Sequence, residues 1–133
     1  MSTATKNSKS IATSAKVGTC VGKMVSYNNS LKLFHWHVTG KASYAQHMAL
    51  DQALETLLDA TDRLVETTYA LIGDIEVVVP ETKTPANIVN HAQEYFDYVA
   101  DQRKLFPEDF TQSILDDFQE ALQQLLYRLK RLQ

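Results

Sequence analysis

The segment from Tyr44 to Gly73 constrains the fold most, because its apolar residues recur at helical spacing along its whole length. Leu50, Leu54, Leu57, Leu58, Leu64, Val65, Leu71 and Ile72 make one stripe, and such a stripe has to be buried against other helices. Ser43 followed by Gln46 is a capping-box pattern that starts the helix, and Gly73 closes it. The same segment carries His47, Asp51, Asp62 and Glu66. At 100° per residue these four fall within about 100° of arc, in a sector flanking the leucine stripe. Carboxylates placed there are usually no more than a solvated helix face, so any chemistry must be argued from their spacing.

The neighbouring segments complete an all-α reading. Val17, Cys20, Val21, Met24, Tyr27 or Asn28, Leu31, Phe34 and Val38 predict a first helix over roughly 12–39, stopped by Gly40. Within it, Gly18 and Gly22 either weaken the helix or let another backbone come close. A turn of a few residues then sets the first two helices antiparallel. From Asp74 to Lys83 the chain is neither helical nor a tight turn, and Ile75–Val79 reads as a short extended segment. Its ten residues span about 33 Å when extended, most of the length of the second helix. That permits a long crossover of the ferritin-like kind. Thr84 and Pro85 read as the N-cap and first position of a third helix, with Ile88, Ala92, Tyr95, Phe96 and Val99 on one face. Pro107 breaks the chain, and a fourth helix carries Ile114, Leu115, Phe118, Leu122, Leu125, Leu126 and Leu129 to about Leu132. The expected architecture is a ferritin-like four-helix bundle over 11–133 with a long crossover after its second helix, preceded by a flexible basic arm over 1–10.

Composition narrows the chemistry. Cys20 is alone, which excludes an internal disulfide and a cysteine-based zinc site. There is no apolar run of membrane-spanning length and no signal-peptide core, so a cytoplasmic location without membrane contact is expected. The first fifty residues hold six lysines and no acidic residue; the remainder hold seven basic and sixteen acidic residues. Such a split can mark an arm that touches DNA phosphates through Lys6 and Lys9, or merely a solvated tail.

The spacing of His35, His47, Asp51, Asp62 and Glu66 carries the functional expectation. Two imidazoles and three carboxylates suit iron or manganese, being harder than a thiolate site and richer in nitrogen than a calcium site. The hairpin turn sets His35 beside His47. His47 and Asp62, however, stand fifteen residues apart, about 22 Å along a helix, so one chain cannot wrap one centre with all five. A two-fold axis near residues 56–57 solves this by pairing the second helix with its symmetry mate, antiparallel. His35, His47 and Asp51 of one copy then meet Asp62 and Glu66 of the other, giving two identical centres per dimer.

His35-Trp36-x-Val38-x-Gly40, followed by His47, Asp51, Asp62 and Glu66, resembles the Dps family of mini-ferritins, and all five family ligand positions are matched. The resemblance is strongest over residues 31–73. It implies a ferroxidase centre, mono- or di-iron, formed by those five residues at a homodimer interface, where Fe(II) is oxidised by hydrogen peroxide or oxygen. It also implies a twelve-subunit shell that stores ferric mineral and protects against oxidants. His37, where the family usually has Asn, is either an extra ligand or faces elsewhere; two residues from His35, it projects about 200° away around the helix, which favours the latter and leaves it at most a second ring of support. Trp36 has the same rank, as an interceptor of oxidising equivalents or an ordinary packed indole. Tyr27, Tyr44 and Tyr69 are expected at the interface, and His91 has no partner in the sequence. Two other functions compete: a ferritin-like metal-binding protein without a storage shell, and a DNA-packaging protein that uses its basic N-terminal half.

Overall fold

The structure, a computed structural model, describes the backbone of residues 3–132 and the side chains of residues 13–132. The backbone of the expected flexible arm is helical from Thr3 onward, whereas residues 1 and 2 and the side chains of Lys6 and Lys9 lie outside the described residues. Four α-helices pack as a bundle: α1 (Thr3–His37), α2 (Ser43–Ile72), α3 (Ile88–Gln102) and α4 (Asp109–Arg131), with a short 3-10 turn at Arg103–Leu105 before α4. No strand occurs among the described residues, and no helix there is long and apolar enough to cross a membrane. The all-α four-helix bundle expected from the periodicities is the observed fold.

Side-chain contacts fix the direction of each helix. Asn28 of α1 bonds Thr61 of α2, while His35 stacks on His47, so these helices are antiparallel. Arg63 of α2 pairs with Asp117 of α4 at 3.1 Å. The start of α2 meets the end of α4 and the end of α2 meets its start, so this pair is antiparallel too. The core is one cluster of the predicted stripes, with Leu31, Leu50, Leu57, Leu64, Leu115, Phe118, Leu122 and Leu125 fully buried. Leu58, counted in the stripe of α2, instead faces outward and is 55% exposed.

The crossover between α2 and α3 runs along α1. A Cβ on Gly18 would sit 2.0 Å from the carbonyl oxygen of Glu76, and one on Gly22 1.8 Å from that of Val78. Further on, the hydroxyls of Ser26 and Thr82 bond at 3.0 Å. Residue numbers rise together on both strands of this contact, so the crossover travels parallel to α1 and returns the chain to the far end of the bundle. The two glycines therefore serve close backbone approach rather than local weakness.

Three helix starts differ from expectation. α1 begins at Thr3, ahead of the apolar periodicity. Ser43 is the first residue of α2, not its cap: Ala42 holds the N-cap position and no side chain caps it. α3 begins at Ile88, where the Asn87 side chain accepts from the Asn90 amide at 3.0 Å, and not at Thr84-Pro85. An Asx cap satisfies a free helix-end amide directly, and Pro85 then closes the extended crossover instead.

Candidate metal centre

The end of α1 and the start of α2 bring His35, His47 and Asp51 together. His35 is 5% exposed, and neither ring nitrogen has a hydrogen-bond partner. Its ring lies against that of His47, centroids 3.6 Å apart. Asp51 Oδ1 stands 3.4 Å from His35 Nε2 and 3.9 Å from the Lys32 ammonium. His47 Nδ1 is 3.1 Å from the backbone carbonyl of His35. A carbonyl only accepts, so in the neutral ring this bond places the proton on Nδ1 and leaves the Nε2 lone pair free. This is the arrangement by which ligating histidines are commonly fixed in tautomer.

The electrostatics favour a neutral His35. Burial pushes its pKa below the ordinary histidine value, His47 and Lys32 push it the same way, and Asp51 opposes them. A buried, neutral imidazole with neither nitrogen hydrogen-bonded carries a desolvation cost that the Asp51 carboxylate, 3.4 Å from Nε2, offsets only in part. Coordination at one nitrogen would offset it. Even so, among the described residues no three His, Cys, Asp or Glu side chains are disposed to hold a metal ion within one chain. Stacked rings present their faces to each other, so their lone pairs meet at one ion only after one ring turns out of the stack.

Asp62 and Glu66 are exposed on the same outward face of α2, about 22 Å further along for Asp62. The structure thus gathers three of the five predicted residues and leaves two at the other end of the helix. Between the groups lies Leu58, and the face is bounded by exposed Tyr44 (77%) and Tyr69 (39%). Tyr27, expected beside them, is buried instead: it stacks on Tyr95 at 4.6 Å and contacts His91, between α1 and α3. Trp36 is 68% exposed rather than packed, with the Lys32 ammonium 5.5 Å from its ring. His37 is exposed and turned away from His35.

Lys32 is the residue that spacing alone passed over. It lies three positions before His35, hence on the same side of α1, and its ammonium already holds a positive charge beside Asp51. Helix numbering could have found it; the motif could not.

Among curated proteins and among solved structures, nothing matches the chain. One family model does match, over residues 35–129, from the buried His35 through all of α2 and α3 and nearly all of α4. The chain belongs to the family of unknown function DUF5856.

Proposed function

We propose that this protein is a ferritin-like, Dps-like ferroxidase, binding Fe(II) as substrate at a centre assembled from two copies of the chain. His35, His47 and Asp51 of one copy and Asp62 and Glu66 of the other supply the donors. The observation that carries this reading is His35: a buried imidazole with two unpartnered nitrogens, beside a second imidazole whose tautomer leaves Nε2 free and a carboxylate at 3.4 Å. The distribution of the remaining carboxylates supports a shared centre, since Asp62 and Glu66 lie exposed beyond the reach of their own chain's histidines. In the reaction two Fe(II) give one electron each to hydrogen peroxide, whose O–O bond breaks, and hydrolysis of the Fe(III) product releases protons. Oxygen serves as the alternative acceptor.

Complementation tests the shared centre. A His47→Ala chain and an Asp62→Ala/Glu66→Ala chain should each oxidise Fe(II) no faster than buffer. Mixed and reassembled, half the dimers are mixed by chance, and each has one centre with every defect and one with none. About a quarter of wild-type activity should return by this two-fold arithmetic. No gain over the separate variants, with mixing confirmed by native mass, would remove the shared centre.

A further inference from the structure

Two clefts open along the α2/α4 side of the molecule, and each contains one residue of the candidate centre. The first, about 900 Å³, lies between the start of α2 and the end of α4. Its lining includes exposed Tyr44, Met48 and Tyr127, with Arg128 and Arg131 on its α4 wall and Asp51 beside them. The second, about 580 Å³, lies at the opposite end, where Glu66 and Arg63 of α2 face Asp109 and Phe110 of α4. Phe110 is 54% exposed although it is a large apolar side chain in the first turn of a helix.

The two-copy reading proposed above dictates what these clefts meet. A two-fold axis at residues 56–57, lying in the plane of the face and perpendicular to α2, sets His47 opposite Glu66, Asp51 opposite Asp62 and Tyr44 opposite Tyr69. The same rotation keeps α4 on the same side of α2 in both copies. Because α4 runs antiparallel to α2, the second cleft of one copy then covers the first cleft of the other. We infer that the cleft between the start of α2 and the end of α4 is the docking site for the first turn of α4 of a second copy. Phe110 enters the apolar cleft beside Tyr44 and Met48, and Asp109 of that copy faces Arg128 and Arg131. This extends the interface beyond the centre itself. It gives an anchor of the usual kind, an aromatic side chain in an apolar recess rimmed by complementary charge.

Thiol crosslinking of the full chain tests it. Ser113 and Arg131 are exposed and lie eighteen residues apart on α4. That places them on one side of the helix but about 27 Å from each other, beyond a short bis-maleimide within one chain. Across the proposed axis they come level. A Ser113→Cys/Arg131→Cys chain, with Arg128 left in place, should therefore give a covalent dimer, as should Leu58→Cys next to the axis. The wild type, whose Cys20 is fully buried, serves as the blank. In sedimentation, Phe110→Ala should weaken the dimer at least tenfold. Arg131→Glu should weaken it too, and adding Asp109→Arg to that chain should restore it. A Leu58→Cys link without the Ser113–Arg131 link would leave the cleft to a different occupant, overturning this inference while the shared centre stands. Absence of both links in a protein that stays monomeric with saturating Zn(II) would overturn both. Both links without Fe(II) oxidation would remove the ferroxidase reading alone.

Discussion

Asn28 ties three helices together from a position that is 2% exposed. Its Oδ1 accepts from the Tyr95 hydroxyl of α3 at 2.7 Å, and its Nδ2 donates to Thr61 Oγ1 of α2 at 2.9 Å. Thr61 in turn donates to the carbonyl of Leu57 at 2.7 Å. Replacing Asn28 by Ala leaves the buried Tyr95 hydroxyl only a long 3.4 Å bond to the Met24 carbonyl, so urea unfolding should show a loss of about 1–3 kcal/mol. Thr61→Ala should cost less, since the Tyr95–Asn28 bond survives it. A second residue-scale expectation concerns His91, whose Nε2 is buried without a partner and whose pKa burial pushes down, with Glu94 opposing. Around the same recess stand Lys23 and Tyr27 of α1, Glu81 and Lys83 of the crossover, and Glu94 on its own helix. The folded pKa lies below the unfolded value of about 6.5, so the unfolded chain binds the proton more readily. The contribution is complete above about 6.5 and is lost as pH falls through the folded value. Between pH about 7 and 5, unfolding free energy should fall more steeply for wild type than for His91→Asn; parallel curves would show that His91 titrates alike in both states. The sequence placed residues 27 and 28 on the inner side of the first helix without deciding between them. Both are inside, and what Asn28 does there depends on Thr61 and Tyr95, distant in sequence and invisible to periodicity.

At the scale of elements, the crossover is set by what α1 lacks. In an exposed helix Gly→Ala gains about 1 kcal/mol of helix propensity. At Gly22 the added Cβ, fixed in place by the main chain, would meet the backbone carbonyl oxygen of Val78 at 1.8 Å, so no rotamer can relieve the contact. Gly22→Ala should therefore destabilise by about 1–3 kcal/mol, as other overpacked sites do. It should also speed proteolytic cleavage at exposed Lys83 by freeing the crossover; unchanged cleavage together with a gain in stability would refute the close approach. Four helices and a long connection were readable because their stripes recur at helical spacing and because Gly40, Gly73 and Pro107 interrupt them. The helix starts were less readable. Thr84-Pro85 and Asn87 are both credible starts, and the choice falls on Asn87 because Ser26 already engages Thr82 and holds the chain extended there. The pairing of His35 with His47 follows from the length of the hairpin. The stacked rings and the Lys32 ammonium depend on side-chain packing across α1 and α2, which no spacing encodes.

At the scale of the whole molecule, the outward face of α2 carries a conflict between charge and apolar contact. Asp51, Glu55, Asp59, Asp62 and Glu66 are all exposed there, and so are Leu58, Tyr44 and Tyr69. Two such faces brought together antiparallel gain aromatic and leucine contact but oppose carboxylate to carboxylate. Like charges in a drying interface repel strongly, so the proposed dimer of the metal-free protein should be weak and should tighten with salt. A divalent cation seated between His47 and Asp51 of one copy and Asp62 and Glu66 of the other reverses the sign of that contact. By linkage, whatever the cation adds to dimerisation, the dimer adds to cation affinity. Zn(II), which takes no part in redox chemistry, isolates this coupling from iron oxidation. Sedimentation at several protein concentrations should show the dimer dissociation constant falling at least tenfold with saturating Zn(II) and recovering with chelator. Asp62→Ala/Glu66→Ala should lose most of that response while retaining the native fold. Zn(II) bound at His35 and His47 with no change in the dimer constant would place the whole site within one chain and break the coupling on which the shared centre depends.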